Sequence, residues 1–170
     1  VDVTADLAAP CPPERLFAEV GDLSAYPAWL TIVPRAEQAA ADDGDPGPAW
    51  SVELRGRLGP LARSKRLRMV RTELVEGRRV RFERRELDGR QHSAWVLEAE
   101  VTPEPEVTPE PEVMDEPGGG VRSRLQMHLH YGGSFGGSLL ERMLGDEIAR
   151  SRPTLLARVA PVPGGPAAPT

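Results

Sequence analysis

Two periods of apolar and polar residues divide this chain. Trp50, Val52 and Leu54 alternate with Ser51, Glu53 and Arg55, the period-two pattern of a strand with one wet face. Val3 to Ala8 reads as a first strand, Val80 and Phe82 alternate with arginines, the 63–75 stretch is mixed, and two more strands follow. Leu140, Met143, Leu144, Ile148, Leu155 and Val159 instead fall near helical spacing, so the chain ends in one long amphipathic helix. Near the start, Pro12-Pro13-Glu14 opens a short helix with Leu16, Phe17 and Val20 on one side, and Gly21 closes it. Asp22 or Ser24 then caps a second short helical segment, with Tyr26, Trp29 and Leu30 around Pro27.

Strand pairing can be read from the same pattern. Asp88-Gly89 suits a two-residue hairpin turn, which sets Phe82 opposite Trp95 and Val80 opposite Leu97. In the next hairpin, Trp95 opposite Met127, Leu97 opposite Leu125 and Val101 opposite Val121 match apolar to apolar, while Glu98 meets Arg124 and Glu100 meets Arg122. The sheet then has one apolar face, carrying Val80, Phe82, Trp95, Leu97, Leu125, Met127, Leu129 and Tyr131, and the long helix must cover it.

A length of 170 residues suits one domain, and 39% hydrophobic with 28% charged residues excludes a disordered chain. Residues 1–160 are expected to form it. VTPEPE occurs twice in tandem from Val101, so 103–118 reads as an acidic, flexible insertion at a hairpin tip and 161–170 as a disordered tail. No apolar run approaches the roughly 20 residues of a membrane-spanning helix, and no leader pattern opens the sequence. With Cys11 as the single cysteine, internal disulfides and cysteine zinc sites are excluded, and a cytoplasmic location is expected. Arg55 to Arg90 holds thirteen basic residues against five acidic ones, whereas Glu98 to Pro117 holds eight acidic and no basic residues. That basic stretch reads mainly as the wet side of a sheet. RNA phosphates are the other reading, but no aromatic except Phe82 stands between the arginines to stack on bases.

A strand, two short helices, a run of antiparallel strands and one long C-terminal helix is the element order of the helix-grip fold. The opening VTADLAAPCPPERLFAEVGDLSAYPAWLTIVPRAE sharpens the match through Ala9-Pro10, Pro13-Glu14, Leu16-Phe17, Asp22-Leu23, Tyr26-Pro27 and Trp29-Leu30. With Trp95 and the C-terminal helix, about residues 2–160 resemble the START-like (SRPBCC) superfamily, which includes polyketide cyclase/dehydrases. The resemblance implies an α+β fold, a curved antiparallel sheet gripping the long helix around an apolar cavity. It also implies a small hydrophobic ligand, such as a polyketide or lipid, with cyclase/dehydrase chemistry as one option and a ribosome-associating protein or quinone carrier as the alternative. The VTPEPE insertion and Pro153, expected to kink the long helix near Ala149, depart from the family pattern.

Three constellations carry candidate chemistry. Tyr26, Trp29, Trp50, Met69 and Trp95 are large apolar side chains suited to line a ligand pocket, though they would fill a core equally well. Phe82, Leu97, Leu125, Met127 and Leu129 extend that wall along the sheet. Among polar groups on the cavity face, Arg84, Tyr131 and Ser93 are the candidates to polarise a carbonyl or move a proton, with Ser123 beside them as a filler. His92, His128 and His130 fall on the polar face, with His92 opposite His130, where histidines more often meet only water than a metal. Neither G-x-G-x-x-G, G-x-x-x-x-G-K-S/T nor H-E-x-x-H occurs, so no metal or nucleotide cofactor is expected.

Overall fold

A computed structural model describes residues 1–58, 61–104, 121–133 and 137–161. Strand β1 (Asp2–Ala9) leads into helix α1 (Pro13–Val20) and a short 3-10 helix at Leu23–Ala28. Strands β2 (Arg35–Ala39), β3 (Ala49–Leu58), β4 (Leu61–Val75), β5 (Arg79–Arg84), β6 (Trp95–Glu104) and β7 (Arg122–Tyr131) follow, and helix α2 (Gly137–Val159) ends the described chain. The seven strands form one antiparallel sheet in the order β1-β7-β6-β5-β4-β3-β2. This is the α+β helix-grip architecture that the element order implies. Most of the 103–118 stretch and of the 161–170 tail lies outside the described residues, but Pro103 and Glu104 belong to β6, opposite Ser123 and Arg122.

The local signals act as their chemistry dictates. Pro13 occupies the first turn of α1, whose Leu16, Phe17 and Val20 are buried. Gly21 closes that helix in right-handed geometry, at φ −75°, so it is not there to supply a left-handed residue. Its reason is space: a β-carbon would lie 2.7 Å from the Phe17 ring. Asp22 Oδ1 accepts from the Ser24 amide at 2.8 Å and caps the 3-10 helix. Helix α2 runs through Pro153 without interruption and buries Leu144, Ser151, Leu155 and Val159. Arg158 ties it to Glu19 of α1 at 2.8 Å.

The pairing registers differ from the sequence expectation by even numbers of residues. Phe82 faces Leu97 rather than Trp95, and Val80 faces Ala99. Residues 85–94 do not zip into a tight hairpin, because Arg85 N–H continues along β4 to Arg68 O at 2.9 Å while Asp88 Oδ1 turns the tip by accepting from Arg90 N–H at 3.0 Å. Trp95 faces Tyr131, Leu97 faces Leu129 and Val101 faces Leu125. Glu98 therefore meets His128, and Arg122 and Arg124 both reach Glu104, at 3.5 and 3.2 Å. Side chains keep their faces under an even shift, so the apolar side of the sheet is composed as its alternation predicts.

On the outer face the arginines are matched by glutamates. Arg81 bridges Glu83 and Glu98, Arg79 lies 3.6 Å from Glu73, and Arg78 lies 3.6 Å from Glu100. Arg79 and Arg81 of β5 thus lie on a wet face laced with ion pairs, whereas Arg68 and Arg84 of the same basic stretch are buried, their side chains 11% and 6% exposed.

Candidate functional site

A cavity lies between the inner face of the sheet and α2. The 3-10 helix and the loop behind it contribute Leu23, Tyr26, Trp29, Leu30, Ile32 and Val33. From β3 and β4 come Val52, Leu54, Leu67 and Met69, and from β6 and β7 come Trp95, Leu97, Met127 and Leu129. Val3 closes one side, and Leu144 and Ile148 of α2 form the lid. The spacing explains the membership: alternate strand residues face inward, and Leu144 and Ile148 are one helical turn apart. Counted to its open mouth the space is about 750 Å³, within the roughly 300–1,000 Å³ of clefts that hold small organic molecules.

Among the described residues the wall carries no charged side chain. Its polar atoms are largely bonded back to the protein: Tyr26 O–H donates to Val20 O at 3.1 Å and Trp29 Nε1–H to Glu19 O at 3.1 Å. Burial pushes the Tyr26 phenol far above its ordinary range, with Asp22 adding to the shift, so it stays protonated. A smaller cavity adjoins the first, sharing Trp29, Met127 and Ile148 and adding Leu7, Leu125 and Leu155, with Asp6 and Arg152 also in its wall.

The wall includes Tyr26, Trp29, Met69, Trp95, Leu97, Met127 and Leu129 from the sequence candidates, while Leu125 lines the smaller space. Trp50 and Phe82 line neither: they pack edge-to-face with centroids 5.5 Å apart in the core, and Trp50 Nε1–H donates to Ser24 Oγ at 3.0 Å. Leu144 and Ile148 belong to the apolar face of the long helix that the spacing predicts to cover the sheet, whereas the loop residues Ile32 and Val33 are wall residues that the sequence pattern does not single out. Their apolar character is visible there, but the loop has no period to orient it.

The polar candidates lie outside the wall. The Arg84 side chain, 6% exposed, bonds Glu86 at 2.7 Å, Ser93 O at 3.3 Å and His92 Nδ1 at 3.1 Å. Its charge is thus compensated by the protein, and Ser93 takes part through its carbonyl. Tyr131 packs its ring against Trp95 at 4.8 Å between centroids. Ser123 is not on the cavity but donates to Cys11 O at 2.9 Å, holding the turn before α1. The histidines do not gather either. His92 Nε2 bonds Asp88, whereas His128 and His130 share Asp2 Oδ1 at 3.1 and 2.9 Å. Among the described residues no group of three or more His, Cys, Asp or Glu is arranged to hold a metal ion, and no helix is long and apolar enough to cross a membrane.

The fold recurs in solved structures. A protein from Thermus thermophilus superposes with a TM-score of 0.64 at 20% identity, covering 94% of this chain and 97% of that one. A START superfamily protein from Mycobacterium smegmatis gives a TM-score of 0.61 at 14% identity, covering 93% and 96%. The Zhui aromatase/cyclase from Streptomyces sp. R1128 gives 0.59 at 12% identity, covering 94% and 93%. At such identities the likeness concerns the fold. None of the curated proteins matches the chain. The family model for polyketide cyclase/dehydrase and lipid transport proteins, however, matches residues 1–160, and with the sheet, the gripped helix and the apolar cavity in place, this chain belongs to that family.

Proposed function

We propose that the chain binds a small, neutral, hydrophobic molecule in the cavity beneath α2 and holds it without reacting with it. The observation that carries this reading is the wall itself: among the described residues it is almost wholly apolar and holds no charge, and its phenol is kept protonated and bonded to a backbone carbonyl. Acid/base catalysis needs a group within hydrogen-bond reach of the substrate. Arg84, Ser93 and Tyr131 are not wall residues, and Arg84 is already occupied by Glu86, Ser93 O and His92. Of the activities covered by the family description, the cavity therefore suits carriage better than cyclisation.

N-phenyl-1-naphthylamine, a neutral probe that fluoresces in apolar surroundings, tests the reading. Saturable binding at one site is expected, and Ile148→Arg, which sets a charge in the lid, should abolish it while the circular dichroism spectrum stays native. Absence of saturable binding, or binding indifferent to Ile148→Arg, overturns the proposal.

A further inference from the structure

The smaller cavity shares Trp29, Met127 and Ile148 with the main one, and the two lie in a row beneath α2. The pairing of β1 with β7 gives the floor its order: Val3 faces Leu129, Ala5 faces Met127, and Leu7 faces Leu125. Alternate strand residues share a face, so these are successive inward rows. The first row borders the main cavity, the last borders the smaller one, and Met127 in the middle borders both. The roof keeps the same order, with Leu144 over the main cavity, Ile148 over both and Leu155 over the smaller. The rise from Leu144 to Leu155 along the helix is roughly 16 Å. The middle row is also the weakest partition. Ala5 is the smallest side chain on this floor, and Met127 is unbranched, with rotatable bonds that let it swing aside. Counted in the same way as the main cavity, the smaller one adds about 280 Å³. Its two charged wall residues, Asp6 and Arg152, are exposed and of opposite sign, so they do not favour an ionised group of either kind.

We propose that the ligand carries a flexible, uncharged hydrocarbon chain whose end passes beneath Ile148 and past Met127 into the smaller cavity. The proposal rests on the reading of the main cavity as a ligand site. A rigid ring system seated in the main cavity gains nothing from the extension, whereas a single chain can bury itself along the whole row. An extended hydrocarbon chain advances about 1.2 Å per bond, as an extended peptide backbone does, so a chain of roughly a dozen carbons spans the two spaces. The chain end must be apolar because the floor and roof it meets are Leu7, Leu125 and Leu155.

1-Hexanol and 1-dodecanol, titrated against bound N-phenyl-1-naphthylamine, test this. As long as each added methylene finds apolar wall, affinity should rise about 3–4-fold per carbon. Ala5→Leu fills the middle of the row, so the quantity to read is the ratio of dodecanol to hexanol affinity in the native protein against that in the variant. The ratio should fall by about 10-fold in Ala5→Leu, the worth of two displaced methylenes. A second reading needs no variant. In the unmutated protein with 13C-labelled methyl groups, dodecanol should shift the resonances of Leu7, Leu125 and Leu155, and hexanol chiefly those of Leu129 and Leu144. An unchanged ratio, or Leu7, Leu125 and Leu155 methyls that respond no more to dodecanol than to hexanol, overturns the assignment. N-phenyl-1-naphthylamine separates the two ideas. If it binds saturably and dodecanol leaves those methyls unmoved, only the chain fails; if it does not bind, the cavity reading fails and the chain with it.

Discussion

Asp45 and Arg68 form an ion pair whose side chains are 5% and 11% exposed, with Nη2 to Oδ2 at 2.5 Å and Nη1 to Oδ1 at 3.2 Å. The same guanidinium reaches Ala40 O and Arg85 O, so a single side chain fastens the 40–48 loop to β4 and to the β5–β6 connection. The hydrogen bond from Arg68 holds the Asp45 carboxyl below its usual range. A carboxyl whose folded pKa is depressed contributes stability that is fully present above its unfolded value, near 3.8, and is lost as pH falls through the folded value. Asp45→Asn is therefore expected to cost about 1.5–3 kcal/mol at neutral pH. Its penalty should shrink on acidification, so urea titrations of the two proteins from pH 6 to pH 2 should converge. A penalty that stays constant over that range would show that the charge of Asp45 is irrelevant.

At the scale of elements, Pro153 stands on the exposed side of α2 within an uninterrupted helix. It removes the N–H that would bond Ala149 O. Replacing it with alanine should gain about 3 kcal/mol of helix propensity, offset by up to about 1 kcal/mol because proline restricts the unfolded chain. The expected net rise in Tm for Pro153→Ala is about 4–12 °C for a domain of this size. A fall in Tm would mean that the helix depends on the distortion proline introduces. Strand pairing holds the complementary lesson. Alternation assigned each residue of β6 and β7 to its face, yet the observed partner of Trp95 is Tyr131, four residues beyond the Met127 that the pattern suggested. Matching charges did not discriminate, since either register gives Arg122 and Arg124 a glutamate. What decides is the connection between strands, and the 85–94 loop follows hydrogen bonds to β4 that no local pattern announces.

At the scale of the molecule, the lid is a helix resting on a space it does not fill. Leu144 is 3% exposed and faces that space, and Thr31 Oγ1 donates to Glu147 Oε2 at 2.8 Å beside it, linking α2 to the loop after the 3-10 helix. Truncating Leu144 to alanine should destabilise the apo protein by about 2–5 kcal/mol, as the space beneath the lid widens. The same change should enlarge the rise in Tm produced by N-phenyl-1-naphthylamine, because a ligand that fills the void stabilises only the folded state. Equal ligand-induced shifts in both proteins would place the probe elsewhere.

The order of elements apart from β2, the buried side of α1, the cap at Asp22 and the apolar face of the sheet were legible in the sequence, because each depends on spacing within a few residues of chain; β2 (Arg35–Ala39), with a single buried residue, carries no such pattern. That was enough to reach the family and the existence of a cavity. Which aromatic side chains line the cavity was decided by tertiary structure: Trp50 and Phe82 carry the same alternation as Trp95, yet they pack on each other while Trp95 borders open space. The fate of Arg84 was decided there as well. Its inward parity suggested a polar group in an apolar cavity, but a buried guanidinium is costly unless paired, and Glu86, Ser93 O and His92 meet it where the 85–94 loop folds back. Periodicity assigns a side chain to a face, and only the approach of distant segments determines whether that face meets protein, water or an empty space.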